Sequence, residues 1–383
     1  MQRIDIDMFS TFVTACLVET ALKLHAPGSV GYLAAMRASE QPNVQEMRET
    51  LAFRTHNRCE PNFSLDGGSL ACLEKALPYG QLERAKIGFV KVVLCPQNTM
   101  LDTLESNYAK ETNGASPWGT VTLSPLALLK AIKPMKLDSA MAGMRRSFWE
   151  KEARRQGDLE QALPLQLPTN EEKAAESGLW QKTLFVNLFV QLSSSQAFEA
   201  ALKDFGNVAV WTVLEETLLV NSAFFRMILA REYSLLLKNV PENAGLLCVT
   251  VGGGAVRTLR ECIGKDVVKG QRCNQKELLD DLVSVHKALV DTLDPELVSV
   301  VNPRGWRQDH TEHASCELRR FKDAEERLSK GKQPKRKRDL AHVAERQALR
   351  CQRLRSGPPG DECWRVLGFS SLPTMALGLE GLM

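Results

Sequence analysis

The chain has 383 residues, a length at which one hydrophobic core usually stops growing, so we expect two lobes. Its composition is 44% hydrophobic, 25% charged and only 6% aromatic, which excludes disorder along most of the length and favours helices over a β-sandwich. The net charge is only +3, yet residues 318–355 hold 14 Lys or Arg against five Asp or Glu, so a basic segment of +9 belongs to an otherwise acidic chain of −6.

The first lobe, residues 1–156, is predicted as a string of helices with clear stop signals. Asp5 or Asp7 can cap the first helix, which Pro27-Gly28 ends. One strand is predicted at residues 87–94, because this short run is rich in β-branched residues and is bounded by turn residues. Further helices are predicted at 32–39, 42–53, 101–110, 125–132 and 138–156.

A linker is predicted at residues 157–168, where glycine and two prolines break the helical pattern. The second lobe, residues 169–303, begins with a capping box formed by Thr169 and Glu172. It is predicted to hold central helices with apolar residues on more than one face and one amphipathic surface helix. The central helices are placed at 179–192, 208–220 and 223–237, and the surface helix at 275–293. The predicted fold class is therefore mainly α, with two helical lobes.

Residues 304–383 are predicted as a charged helical arm followed by an apolar tail. Helices are expected at 312–329 and 339–355, with an interruption at 331–334. Beyond the Pro- and Gly-rich residues 356–360, the tail carries large apolar side chains that are costly to leave in water. Such a tail can fold back on its own body or insert into a neighbouring subunit. We favour the neighbour, with the self-assembly contact on Trp364, Leu367, Phe369 and Leu372.

A basic stretch at the end of the first lobe is the strongest candidate binding site within the body of the protein. Residues 130–155 hold eight bases against three acids. Guanidinium groups suit phosphate oxygens, and an adjacent indole offers a face on which a base can stack. The alternative is a solvated helix face with internal ion pairs and two aromatic core anchors. The candidate contacts are Lys130, Lys133, Lys136, Arg145, Arg146, Phe148, Trp149, Lys151, Arg154 and Arg155.

The second candidate is a dense cluster of bases in the arm, formed by Lys335, Arg336, Lys337 and Arg338. Such a cluster repels itself unless counterions or a polyanion neutralise it, so it should be exposed. It fits contact with a nucleic-acid backbone, but the run Pro-Lys-Arg-Lys-Arg also resembles a monopartite nuclear localisation signal. A merely solubilising role is the third interpretation.

Two further patterns carry weaker functional hypotheses. The loop Gly252–Gly254 resembles the start of a nucleotide-binding helix, but Arg257 stands where the dinucleotide fingerprint requires a small residue, which favours a tight turn. His310, His313 and Cys316 supply three donors where a structural zinc site needs four ligands. With no nucleophile signature, we predict no enzyme, no cofactor and no metal.

The ten Cys form no C-x-x-C pair, which is typical of buried free thiols in a reducing compartment. The N-terminus has no basic patch followed by an apolar run, so we expect no secretory leader and no membrane span. These features predict a soluble protein of the cytoplasm or nucleus.

The order of helical lobe, linker, helical lobe and charged arm resembles the general organisation of viral nucleocapsid proteins, which grip single-stranded RNA in a basic cleft between lobes. No sequence motif carries this resemblance, and no family is assigned. It implies a non-enzymatic protein that binds nucleic acid, principally single-stranded RNA, without reading the base sequence. It also implies that the protein forms homo-oligomers through its tail. Two alternatives stay open: a helical adaptor or scaffold whose basic arm serves import or docking, and a nucleotide-using enzyme with its site at Gly252–Gly254.

Overall fold

The computed structural model describes residues 4–56, 67–93, 100–119, 123–135, 182, 186, 189–190, 223–237, 249–265 and 274–332. Over these ranges the chain is helical and contains no strand, so the predicted mainly α fold is confirmed. The helices are α1 (Ile6–Leu24), α2 (Val30–Ser39), α3 (Pro42–Glu49), α4 (Leu51–His56), α5 (Gly67–Ala76), α6 (Gln81–Val93), α7 (Met100–Glu111), α8 (Pro125–Ile132), α9 (Ala223–Leu236), α10 (Gly253–Cys262), α11 (Gln275–Val290), α12 (Pro295–Val301) and α13 (Gln308–Ser329). In this described part of the chain, no helix is both long and apolar enough to cross a membrane.

The chain divides into two compact units. Unit 1 combines Met1–Asp66 with Val249–Met383, and unit 2 is Gly67–Cys248. The linker predicted at 157–168 lies outside the described residues and stays a prediction, as do the capping box at Thr169 and the helices at 138–156, 208–220 and 339–355.

Helix α1 lies at the centre of unit 1, because apolar side chains cover several of its faces. The Asp5 side chain caps the helix by accepting a hydrogen bond from the Met8 amide at 2.9 Å. Phe9, Val13 and Leu17 are fully buried. The helix packs against α2, α3, α11, α12 and α13, so segments from both ends of the sequence build its surroundings.

Three phenylalanines join the first residues of unit 1 to its last described helix. The ring of Phe12 on α1 lies 6.2 Å from that of Phe53 on α4 and 5.4 Å from that of Phe321 on α13, centroid to centroid. The rings of Phe53 and Phe321 are 6.3 Å apart. Helix α13 also packs against α10 and α11, so the residues predicted to open a charged arm form part of a hydrophobic core.

The helix predicted at 42–53 is two helices, α3 and α4, separated at Thr50. The backbone of Thr50 is extended, with a ψ of 140°, and its hydroxyl accepts a hydrogen bond from the Phe53 amide at 3.1 Å. Threonine can cap a new helix in this way. Without a proline or glycine at the break, the apolar spacing suggested a continuous helix.

The strand predicted at 87–94 is wrong, because Ile87–Val93 form the second half of helix α6. The whole run from Arg84 to Val90 is buried, and a helix buried on several faces produces the same short apolar run as a buried strand. Gly88 fits a close helix contact: a Cβ placed on it would lie 2.8 Å from the Leu236 Cδ1 of α9. The glycine lets α6 and α9 approach each other.

Unit 2 is held together by α5 to α9 and by a buried arginine that joins helix ends. The Arg84 guanidinium of α6 donates to the carbonyl oxygens of Leu77 (2.7 Å) and Tyr79 (2.8 Å), just beyond α5, and of Leu236 (3.4 Å) at the end of α9. A cation at the carbonyl ends of helices satisfies acceptors that have no partner within the helix. The Tyr233 hydroxyl of α9 also donates to the Ala85 carbonyl at 3.1 Å.

Candidate nucleic-acid interface

The structure describes two of the residues predicted to contact nucleic acid, Lys130 and Lys133. The remaining candidates of the basic stretch, the arm cluster and the tail lie outside the described residues, and their roles stay predictions. They are Lys136, Arg145, Arg146, Phe148, Trp149, Lys151, Arg154, Arg155, Lys335, Arg336, Lys337, Arg338, Trp364, Leu367, Phe369 and Leu372.

Helix α8 positions the two described lysines, and its start and length follow from the sequence. The Ser124 hydroxyl caps it by accepting from the Ala127 amide at 3.3 Å, and Pro125 occupies the first turn, where no amide donor is needed. Leu128 and Ile132 are fully buried and fix which face is turned inward. The basic residues are concentrated towards the carbonyl end, where positive charge is favourable.

The two lysines of α8 differ in their surroundings. The Lys130 Nζ lies 3.1 Å from a carboxylate oxygen of Glu111 on α7, so its charge is paired. Lys133 caps the C-terminus of the helix and is exposed. Among the described residues it forms no ion pair, and its carbonyl oxygen accepts a hydrogen bond from the Nζ of Lys182. Partial burial and the charge of Lys133 lower the pKa of Lys182.

Lys182 comes to this place because of the helical face on which it lies. Val186 and Phe189, one and two turns further along, are fully buried, and the Phe189 ring packs edge-on against Trp118 at 6.4 Å. Residues at this spacing share one helix face, so Lys182 is directed towards the same side. The sequence analysis missed this lysine because it stands alone in an apolar segment. Its spacing from Val186 and Phe189 was the only available signal.

Three bases of helix α13, and Lys330 just after it, are paired with acids of the same helix. Over Gln308–Ser329 there are six Asp or Glu and four Lys or Arg, a net charge of −2. The pairs are Arg319–Asp323 at 2.8 Å, Lys322–Glu325 at 2.5 Å, Lys330–Glu326 at 2.5 Å, and Arg320–Glu317. Such pairs at helical spacing neutralise the helix surface and contribute little to stability.

The charge of the chain reverses where α13 ends. The helix ends at Ser329, and Gly331 adopts a φ of +67°, a left-handed conformation that favours glycine and follows many helix ends. The helix therefore ends where the sequence predicts, and the predicted second helix lies outside the described residues. From Lys330 to Arg338 the sequence has six bases and no acid. The basic segment thus begins directly after a helix anchored in the core of unit 1.

The glycine loop of unit 1 starts helix α10, and a carboxylate already lies at that helix end. The Gly252 amide donates to the Glu312 Oε1 at 3.1 Å, and Glu312 is only 3% exposed. A Cβ on Gly254 would lie 2.5 Å from the Cys316 Sγ, so this glycine permits the close packing of α10 on α13. The arrangement supports a tight turn between packed segments, and the helix end, which attracts anions, is occupied by a side chain of the protein.

The described residues also contain a buried ion pair that the sequence analysis missed. Lys91 pairs with Glu232, which is 2% exposed, and the Ser69 hydroxyl donates to the same carboxylate at 2.9 Å. Burial, followed by the charge of Glu232, raises the pKa of the nearby Cys72 thiol well above its ordinary value. This thiol is therefore held in the unreactive protonated form, and the group joins α5, α6 and α9.

His310, His313 and Cys316 do not complete a metal site within the described ranges, where no group of three or more His, Cys, Asp or Glu side chains is placed to hold a metal ion. His310 accepts a hydrogen bond from the Arg307 amide at 3.1 Å, and its ring lies near that of Trp306.

Comparison of the chain with known protein families, with curated proteins and with solved structures gave no match.

Proposed function

We propose that this protein is not an enzyme and that it binds nucleic-acid backbones without reading the base sequence. Its principal ligand in this proposal is single-stranded RNA. The observation that carries the proposal is the reversal of charge at the end of α13, from −2 over the helix to six bases without an acid over residues 330–338. A segment of this density needs a polyanion or counterions to neutralise it. Its attachment to a packed helix would hold the bound backbone close to unit 1.

The test is a salt titration of binding to labelled single-stranded RNA of several unrelated sequences. Each phosphate neutralised by the protein should contribute a slope of about −0.7 to the logarithm of the affinity against that of the salt concentration. Replacing Lys335, Arg336, Lys337 and Arg338 by Ala should reduce the slope by up to about 2.8 and weaken all sequences alike.

A matched control removes the same charge elsewhere. Lys23, Lys110, Lys276 and Lys287 are exposed residues of three described helices, α1, α7 and α11, and their joint replacement by Ala also changes the net charge by four. This variant should bind RNA almost as the wild type does. Equal losses in both variants would mean that only net charge matters, and no loss in the arm variant would remove the arm from the site and favour the adaptor hypothesis.

The second part of the proposal is self-assembly through the tail, which the sequence supports by its apolar side chains at Trp364, Leu367, Phe369 and Leu372. Insertion of such a segment into a neighbouring subunit builds rings or filaments. Deleting residues 356–383 should therefore yield monomers in light scattering. An assembly of unchanged size after the deletion would exclude the tail as the contact.

A further inference from the structure

We propose that Lys133 and Lys182 together hold one phosphate group of the bound nucleic-acid backbone. This inference rests on the proposed function and adds a contact in unit 2 that sequence reasoning did not contain. It is carried by the hydrogen bond of the partly buried Lys182 ammonium with the carbonyl oxygen of Lys133, an exposed lysine at the C-terminal end of α8.

The two charges are brought together from segments 49 residues apart in the chain. The Lys182 Nζ donates to the carbonyl oxygen of Lys133, and the Lys133 side chain starts from the same residue. No carboxylate within the described part of the chain pairs with either lysine. The end of a helix carries a partial negative charge of only about half an elementary charge, so two ammonium groups leave a surplus of positive charge there.

Two other described lysines of unit 2 have their charge compensated by carboxylates. Lys130, one turn earlier on the same helix, pairs with Glu111. Lys75 on α5 pairs with Asp102 and Glu105 of α7. Unlike these two lysines, Lys133 and Lys182 have no carboxylate partner in the described structure. A phosphate group of the ligand would supply the missing negative charge.

The site is also held in place before a ligand arrives. Val186 and Phe189 are fully buried and fix the helix face on which Lys182 lies. Lys133 follows the buried Ile132 at the end of a capped helix. A lysine acts as a point charge towards phosphate, so two lysines with fixed origins can share one phosphate without a demanding bond geometry. The pKa of Lys182 is lowered by partial burial and then by the positive charge of Lys133. A bound phosphate would offset this repulsion between the two lysines.

The test measures binding of labelled single-stranded RNA to the full chain by fluorescence anisotropy at several salt concentrations. The variant Lys133→Gln/Lys182→Gln removes both charges and keeps an amide donor at position 182 for the carbonyl. We expect its affinity to fall about tenfold at low salt and its salt slope to fall by about 0.7, the value for one phosphate. The variant Lys182→Arg keeps charge and donor, and should retain most of the affinity.

The matched control is Lys23→Gln/Lys110→Gln, which removes two charges from exposed positions of helices α1 and α7 that are not among the candidate contacts. It should leave the salt slope unchanged. Equal losses in the two double variants would overturn the proposal, because net charge alone would then explain them. A lowered melting temperature with unchanged binding in Lys182→Gln would also overturn it and leave Lys182 as a helix cap.

The two proposals fail in different ways. If wild-type protein binds RNA with a steep salt dependence and the Lys133→Gln/Lys182→Gln variant does the same, the phosphate contact is wrong and the proposed function stands. If wild-type protein shows no salt-dependent binding to any single-stranded RNA or DNA, the proposed function itself is wrong, and the lysine pair loses its ligand with it.

Discussion

Within the described part of the chain, the N-terminus of α10 and the C-terminus of α8 are each closed by a charged side chain from elsewhere in the sequence, and they differ in the charge that is left over. At the N-terminus of α10, the buried Glu312 carboxylate accepts from the Gly252 amide. At the C-terminus of α8, the Lys182 ammonium donates to the carbonyl of Lys133, and the ammonium of Lys133 remains exposed beside it. The first end is compensated by a buried carboxylate, whereas the second is open and carries an excess of positive charge.

This difference shows that a recognised sequence motif does not by itself indicate an open binding site. Three consecutive glycines before a helix are a recognised sign of an anion site, yet here a side chain of the protein takes the anion's place. The lysine pair has no sign in the sequence, because its members are brought together only by folding. The following predictions test this contrast in order of expected effect.

The largest effect should come from opening the compensated end. Glu312→Ala leaves the half-buried Gly252 amide without its charged acceptor, so we expect the free energy of unfolding to fall by about 1.5–3 kcal/mol in a denaturant titration. Glu46→Ala, at an exposed position of α3, should change it by less than about 0.5 kcal/mol. Similar values for the two variants would show that the carboxylate does not stabilise the helix end.

The glycines of the same loop should respond differently to an added methyl group. Gly254→Ala places a Cβ against the Cys316 sulfur in the contact of α10 with α13, and overpacking of this kind costs about 1–3 kcal/mol. Gly253→Ala meets no atom within 4 Å and should be neutral or slightly stabilising. Thermal unfolding of both variants decides this, and a larger loss for Gly253→Ala would contradict the packing role assigned to Gly254.

Smaller effects of opposite sign are expected at the two lysines of α8. Lys133→Gln relieves repulsion of Lys182, so the free energy of unfolding should rise by about 0.2–0.5 kcal/mol at low salt. Lys130→Gln breaks the pair with Glu111 and should lower it by about 0.2–1 kcal/mol. Both changes should shrink in 1 M salt, where the screening length is about 3 Å. The same sign for both variants would mean that Lys133 and Lys182 do not repel each other.

The smallest expected effect is a dependence on alkaline pH. Because burial and Lys133 lower the pKa of Lys182 below its ordinary value of 10.5, the folded protein loses this proton at a lower pH than the unfolded chain. The stability of the wild type relative to Lys182→Gln should therefore rise with pH between the lowered pKa and 10.5, and become constant above it. Urea titrations of both proteins at matched pH values measure this difference. If the difference in stability instead falls over that interval, the pKa of Lys182 is raised and not lowered in the folded protein.

Much of the helical architecture could be predicted from local signals. Asp5 and Ser124 cap the helices that were expected to begin near them, and Gly331 follows the predicted end of α13. The failure at residues 87–94 has a physical reason, since a helix buried on several faces loses the periodicity that identifies it. The break at Thr50 was missed because a hydroxyl cap needs no proline or glycine.

What the sequence could not reveal is which distant segments meet. Nothing in the local pattern around Phe12 indicates that it packs against Phe321, and nothing around Lys182 indicates Lys133. Both pairings depend on long-range packing, which local propensity does not encode. The candidate site was therefore predicted in part: the basic character of α8 was recognised, and its folded partner was not.

The phenylalanine cluster of unit 1 has a consequence for synthesis of the protein. At about 5–20 residues per second, Phe12 and Phe53 leave the ribosome about 15–60 s before Phe321 is made. For most of that interval helix α1 lacks α11 and α12, and for all of it the complete α13, so the apolar faces that they cover stay open to other nascent chains. Ribosome-bound intermediates of this protein should therefore need chaperones, and fragments that end before α13 should aggregate.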